Sequence, residues 1–168
     1  SGPSLLLQVC EYGQAKGWRH FFYGGAEGVA ERMITRLRQS YPELQVAGVY
    51  CPPFRELTDA EEQEVVRMIE AAQPDFLWVG LGGPKQEFWM AKYLSKIRVP
   101  LMLGVGAAFD FHSGQRPWAP AWMRRLGLEW LFRMVSGGQR TLRRNLICVP
   151  KVALMLARER LAAVWRRE

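Results

Sequence analysis

Cysteine is scarce in this chain. Three occur in 168 residues, Cys10, Cys51 and Cys148. The count is odd and no CxxC pair is present, which speaks against a disulfide framework and for reduced thiols in a cytosolic protein. Long apolar runs are missing too. No stretch reaches the ~18 residues a membrane span needs. The longest candidate, 145–165, is interrupted by Pro150, Lys151, Arg158, Glu159 and Arg160. No leader-type pattern opens the chain. The G-x-G-x-x-G fingerprint is absent and no ribose-binding acid stands at its usual spacing, which weakens an NAD-dependent reading. Acid is nearly missing from the last third. Residues 111–168 hold 3 Asp/Glu against 12 Lys/Arg, whereas residues 1–110 hold 13 against 11.

What is present points to one globular α/β domain with a basic tail. Hydrophobic residues make up 49% and seven are Trp, a composition that excludes disorder. The net charge of +7 is concentrated in the C-terminal third, which suits a polyanionic partner: nucleic acid, an acidic membrane surface or a diphosphate substrate. Short apolar runs alternate with helical periodicity. Helices are expected over 4–16, 27–39, 58–72 and 84–95, and strands over 19–23, 44–50, 76–81 and 100–106. Thr58 with Glu61 three residues later reads as a capping box. Strands alternating with helices imply right-handed crossovers and a parallel sheet. After Asp110 only helical stretches follow, near 119–126, 128–135, 138–148 and 150–166. The expected organisation is a Rossmann-like core over 1–112, helices on both faces of its sheet, and a helical, arginine-rich appendage over 113–168. A doubly wound domain usually starts on a strand, and this chain starts on a helix, so the expectation is the C-terminal portion of a longer protein.

Two blocks carry the functional signal. Phe76-Leu77-Trp78-Val79 runs into Gly80-Leu81-Gly82-Gly83-Pro84-Lys85-Gln86-Glu87, and Leu101-Met102-Leu103 runs into Gly104-Val105-Gly106-Ala107-Ala108-Phe109-Asp110-Phe111. Each is an apolar strand followed by glycines that permit close approach of a ligand. In an open α/β sheet ligands bind at the carboxyl ends of strands, so these blocks suggest a nucleotide or nucleotide-sugar crevice. A third turn, Gly24-Gly25-Ala26-Glu27-Gly28, offers backbone N–H groups to a phosphate or ribose, or is simply a tight strand–helix connection. Lys85 suits a phosphate and Gln86 a sugar hydroxyl or base edge, against a plain helix start. Asp110 is a ligand for hydroxyls or a helix cap. His112 is a minor candidate, and His20 has no assigned role.

In the tail, Trp122, Leu126, Trp130 and Met134 recur at four-residue spacing and are expected to form a buried helix stripe rather than a base-stacking platform. Arg133, Arg140 and Arg144 fall on one helical face, with Arg143 beside them, if Gly137-Gly138 does not break the helix; such a cluster suits a diphosphate or a solvated face. The interleaved apolar and basic residues of 151–167 read as an amphipathic helix on an anionic membrane, or as a helix against a protein partner.

Taken in order, Gly24-Gly25-x-x-Gly28-Val29-Ala30-Glu31, Gly80-Leu81-Gly82-x-Pro84-Lys85-Gln86-Glu87, Gly104-Val105-Gly106-x-Ala108-Phe109-Asp110-Phe111 and Pro120-x-Trp122-Met123-x-Arg125-x-Gly127-Leu128-Glu129-Trp130-Leu131-x-Arg133 resemble the WecG/TagA/CpsF glycosyltransferases. The resemblance implies inverting, metal-independent transfer of N-acetylmannosamine, its uronic acid or a hexose. The implied donor is a UDP-sugar, and the acceptor is an undecaprenyl-diphosphate-linked sugar of a bacterial surface polysaccharide. It implies no cofactor and no metal. Gln86 and Asp110, with Gly24, Gly25, Gly82 and Lys85, would line the donor site. Arg133, Arg140 and Arg143 would close over the diphosphate. The family's presumed catalytic aspartate lies in an N-terminal segment with no counterpart here, so the chain alone is expected to be inactive. The expected place is the cytoplasmic face of the inner membrane, peripherally bound, without nucleic acid and with homo-oligomerisation open. A nucleotide- or nucleic-acid-binding module without chemistry is the alternative.

Overall fold

The computed structural model describes residues 1–136, the side chains of 133–135 excepted. They divide into two units, the first Ser1–Arg116 and the second beginning at Pro117. The first contains α1 (Gly2–Gln14), β1 (Arg19–Gly24), α2 (Val29–Ser40), β2 (Gln45–Tyr50), α3 (Asp59–Ala72), β3 (Phe76–Gly80), α4 (Lys85–Tyr93), β4 (Leu101–Gly104) and α5 (Ala108–Ser113). The second contains α6 (Ala121–Arg125) and α7 (Glu129–Ser136).

The four strands form a parallel sheet in the order β2-β1-β3-β4. The two central strands are the most buried, as strands covered on both faces must be. Alternation along them separates two cores. His20, Phe22, Phe76 and Trp78 lie on the side of α1, α2 and α5, where Leu6, Cys10, Met33, Leu37 and Phe109 pack. Phe21, Tyr23, Leu77 and Val79 face α3 and α4, meeting Val65, Ile69, Tyr93 and Ile97. The result is an α/β/α layer arrangement of the Rossmann-like kind.

The expected capping box is present. Thr58 Oγ1 accepts from the Glu61 N–H at 3.3 Å while Glu61 Oε2 accepts from the Thr58 N–H at 2.8 Å, so α3 starts where its sequence says. Arg55 grips both Glu61 oxygens at 2.7 and 2.6 Å, and these bonds with the Thr58 N–H hold the carboxyl at about 2, well below its usual range. Glu62 of α3 takes Lys92 and, at 3.9 Å, Lys96, which pins α4 and the turn after it to α3.

Asp110, a few residues past the end of β4, lies in the first turn of α5, a helix that the sequence reading left unmarked. One expectation is corrected. The stripe Trp122-Leu126-Trp130 is not buried. Trp122 and Trp130 are 59% and 53% exposed, and Gly127, at φ 71°, ends one short helix before the next begins. Within this unit the Arg124 guanidinium lies 3.7 Å over the Trp118 ring. The helices expected over 138–148 and 150–166, the Gly137-Gly138 hinge, Arg140, Arg143 and Arg144 lie outside the described residues, as does the Arg133 side chain.

Candidate functional site

β1 leads through α2 to β2 on one side, while β3 lies on its other side. The connections diverge there, so the crevice between the carboxyl ends of β1 and β3 is the sheet's switch point, the usual ligand position in such sheets. The loops that follow these two strands are the glycine blocks.

Gly24 pairs with Gly80 across the crevice floor, and the Gly25 N–H donates to Gly80 O at 3.1 Å. Neither position has room for a side chain. A Cβ on Gly24, at φ 120°, would lie 2.7 Å from the Gly80 carbonyl, and one on Gly80 would lie 2.8 Å from the Phe109 ring. Two backbones and one buried ring therefore meet without intervening side chains, and the floor of the crevice is peptide.

On the β3 side, Gly82 sits at φ 74° in open space, and Lys85 opens α4 with its side chain exposed. Gln86 follows, only 9% exposed. Its Oε1 accepts the Gly106 N–H at 2.8 Å and its Nε2 donates to Glu87 Oε1 at 2.9 Å. The predicted site residues Gly24, Gly25, Gly82, Lys85 and Gln86 thus all lie at the carboxyl ends of β1 and β3, Gly24 as the last residue of β1 and the others on the loops or the first turn of α4. Asp110 is on α5, which follows the β4 loop, and its Oδ2 lies 3.3 Å from Arg116 Nε. Arg116 is mostly exposed, so the pair contributes at most about 1 kcal/mol and leaves the carboxylate available.

One participant escaped the sequence reading. Cys51, the residue after β2, donates its Sγ–H to Gly25 O at 3.2 Å. Burial, reinforced by Glu31 and Glu27, pushes its pKa up, so it is a protonated brace for the loop and no thiolate nucleophile. His20 is fully buried, its Nδ1 accepts the Trp78 indole N–H at 3.0 Å, and burial lowers its pKa to about 4 despite the opposing charge of Asp75. It is a neutral core residue that fixes β1 to β3. His112, a minor candidate, instead bonds Pro3 O through Nε2 at 2.9 Å and ties α5 to α1. A groove of about 490 Å³ between α3 and α4, lined by Asp59, Glu62, Val66, Tyr93 and Lys96 among others, contains none of the predicted site residues.

Residues 1–165 match the family described as glycosyl transferase WecG/TagA/CpsF. The chain belongs to this family. It is 32% identical over 164 residues to a protein of Bacillus spizizenii, covering 97% of this chain and 61% of that one. A Bacillus subtilis protein is 30% identical, with 95% and 59% covered, and one from Staphylococcus aureus strain MRSA252 is 29% identical, with 83% and 53% covered. All three are named N-acetylglucosaminyldiphosphoundecaprenol N-acetyl-beta-D-mannosaminyltransferase. The chain therefore spans about three-fifths or less of the curated relatives it matches. Among the described residues no helix is long and apolar enough to cross a membrane, and no three His, Cys, Asp or Glu side chains cluster as a metal site.

Proposed function

We propose that the protein to which this chain belongs is an inverting glycosyltransferase that moves a sugar from a UDP-sugar to a sugar linked to undecaprenyl diphosphate, in the synthesis of bacterial surface polysaccharide. The observation that carries this reading is the convergence of the β1 and β3 loops at the switch point of a chain that matches a glycosyltransferase family along nearly its whole length. The relatives' names favour N-acetylmannosamine as the transferred sugar, ahead of its uronic acid or a hexose.

In this reading the bare peptide at Gly24, Gly25 and Gly82 admits the donor's diphosphate, Lys85 meets its charge, and Gln86 and Asp110 belong to the wall around the sugar. A carboxylate from beyond these 168 residues takes the proton of the acceptor hydroxyl. That oxygen attacks the anomeric carbon, and the bond to UDP breaks on the opposite face, which inverts the centre. Arg133, Arg140 and Arg143 stabilise the charge that grows on the departing UDP, the role that fixed cations fill without a metal. The exposed Trp122 and Trp130, with Arg124 and Arg125 beside them, suit peripheral attachment to an anionic membrane on its cytoplasmic face.

The test is transfer from UDP-N-acetylmannosamine to a lipid-diphosphate-linked N-acetylglucosamine. The full-length protein should turn over with EDTA present. The 168-residue chain alone should be slower by at least about 10²-fold, the usual contribution of a general base. Arg133→Ala, Arg140→Ala and Arg143→Ala in the full-length protein should each lower kcat by about 10²–10³ with little change in donor KM. Equal turnover by the short chain would remove the external base. Binding competed by RNA and not by UDP, and falling steeply with salt, would instead favour the nucleic-acid module.

A further inference from the structure

Three helices of the first unit carry a glutamate at their third position, Glu31, Glu61 and Glu87, and the last two are held differently. Glu61 closes a capping box with Thr58. The corresponding cap of α4 is Pro84, which has no N–H to offer, so Glu87 cannot do the same. Its carboxylate folds over the Gly82–Gly83 turn instead, its oxygens 3.5 and 3.6 Å from where a Cβ on Gly83 would stand. Among the described residues its hydrogen-bond partner is the Gln86 amide, at 2.9 Å.

The other end of that amide is committed as well, to the Gly106 N–H. Gly106 turns at φ 57°, and a Cβ on Gly104 would lie 2.9 Å from Gln86 Nε2, so the end of β4 is stripped of side chain where the amide passes. Gln86 is nine-tenths buried, whereas Lys85 and Glu87 on either side are exposed. A side-chain amide accepts at its oxygen and donates at its nitrogen, which is what this position uses. The line Gly106 N–H, Gln86, Glu87 thus joins the loop after β4 to a carboxylate above the loop after β3.

We propose that Gln86 is a positioning residue and that Glu87 is the group that meets the donor, accepting hydrogen bonds from a pair of vicinal hydroxyls beside the Lys85 cation. The inference rests on the donor-binding reading above and deepens it. An ionised carboxylate only accepts, has two oxygens to share between two hydroxyls, and makes the stronger, charge-assisted kind of bond. Vicinal hydroxyls are offered both by the ribose of a nucleotide and by a pyranose.

The experiment uses the full-length protein and the variants Gln86→Met, Gln86→Glu and Glu87→Gln. Hydrogen exchange of the peptide covering residues 105–108 reads the positioning bond without ligand. Exchange should quicken in Gln86→Met and stay as in the unaltered protein in Gln86→Glu, which still accepts from Gly106, and in Glu87→Gln. Calorimetry with UDP and with UDP-N-acetylmannosamine reads the carboxylate. Gln86→Glu, which repels Glu87, and Glu87→Gln should each bind roughly tenfold more weakly or worse. A loss common to both ligands assigns the ribose, and a loss confined to the nucleotide sugar assigns the pyranose. The proposal is overturned if Glu87→Gln binds both ligands normally, or if Gln86→Met leaves exchange at 105–108 unchanged. If the unaltered protein binds neither ligand, the donor reading fails by itself, and the exchange arm still decides the role of Gln86.

Discussion

Trp78 and Trp130 are the same residue in opposite settings. Trp78 sits in a central strand, with no exposed surface, its ring among Phe76 and His20 and its N–H satisfied. Trp130 sits in a helix of eight residues and is 53% exposed. In the first unit, layers cover a central strand on both faces whatever its local spacing. In the second, α6 and α7 have five and eight residues with Gly127 between them, and four-residue spacing alone supplies nothing to pack against. The same ring is therefore core in one unit and available surface in the other.

The contrast is sharpest in stability. Trp78→Ala should cost about 3–5 kcal/mol in urea unfolding, because it empties a packed site and strands a buried histidine nitrogen. Trp130→Ala should lie within about 0.5 kcal/mol of the unaltered protein, as surface changes usually do, while weakening sedimentation with anionic vesicles. Equal costs for the two substitutions would erase the distinction.

A second expected outcome concerns pH and belongs to the first unit. His20 is held near 4 in the folded protein, below the ~6.5 of an unfolded histidine. The unfolded chain therefore binds the proton first on acidification. Stability contributed by neutral His20 is complete above about pH 6.5 and is lost as the pH falls toward 4, by up to about 3 kcal/mol in total. Urea midpoints measured from pH 7 to 4 should decline over that window, and His20→Phe should flatten the decline. An unchanged slope in the variant would assign the acid sensitivity elsewhere.

The smallest effect is expected at Asp110, a half-buried carboxylate whose partner Arg116 is largely in solvent. Asp110→Ala should leave the melting temperature almost unchanged and weaken UDP-sugar binding by about 0.5–1.5 kcal/mol in calorimetry. The reverse pattern, a lower melting temperature with intact affinity, would make Asp110 part of the scaffold.

The strands and the α3 cap were legible in the sequence because their signals are local: unbroken apolar runs such as Phe76–Val79, and Thr58 three residues before Glu61. α5 was not, since six residues are too short to display a helical period. The loops of the site were legible as glycine blocks after strands. The bonds within them were not. Gln86 meets Gly106 across 20 residues and Cys51 meets Gly25 across 26, contacts that exist only once the sheet has set the strands side by side. The Trp122-Leu126-Trp130 spacing misled because periodicity reports a face and Gly127 interrupts it.

The order β2-β1-β3-β4 has a consequence in time. Trp78 lies 58 residues after His20, so β1 leaves the ribosome well before its central neighbour. At about 5–20 residues per second, that interval is roughly 3–12 seconds. Until Phe76–Gly80 emerges, Phe21, Phe22 and Tyr23 have β2 on one flank and an open edge on the other. The strand at the centre of the finished sheet is, for those seconds, the one most in need of shelter during synthesis.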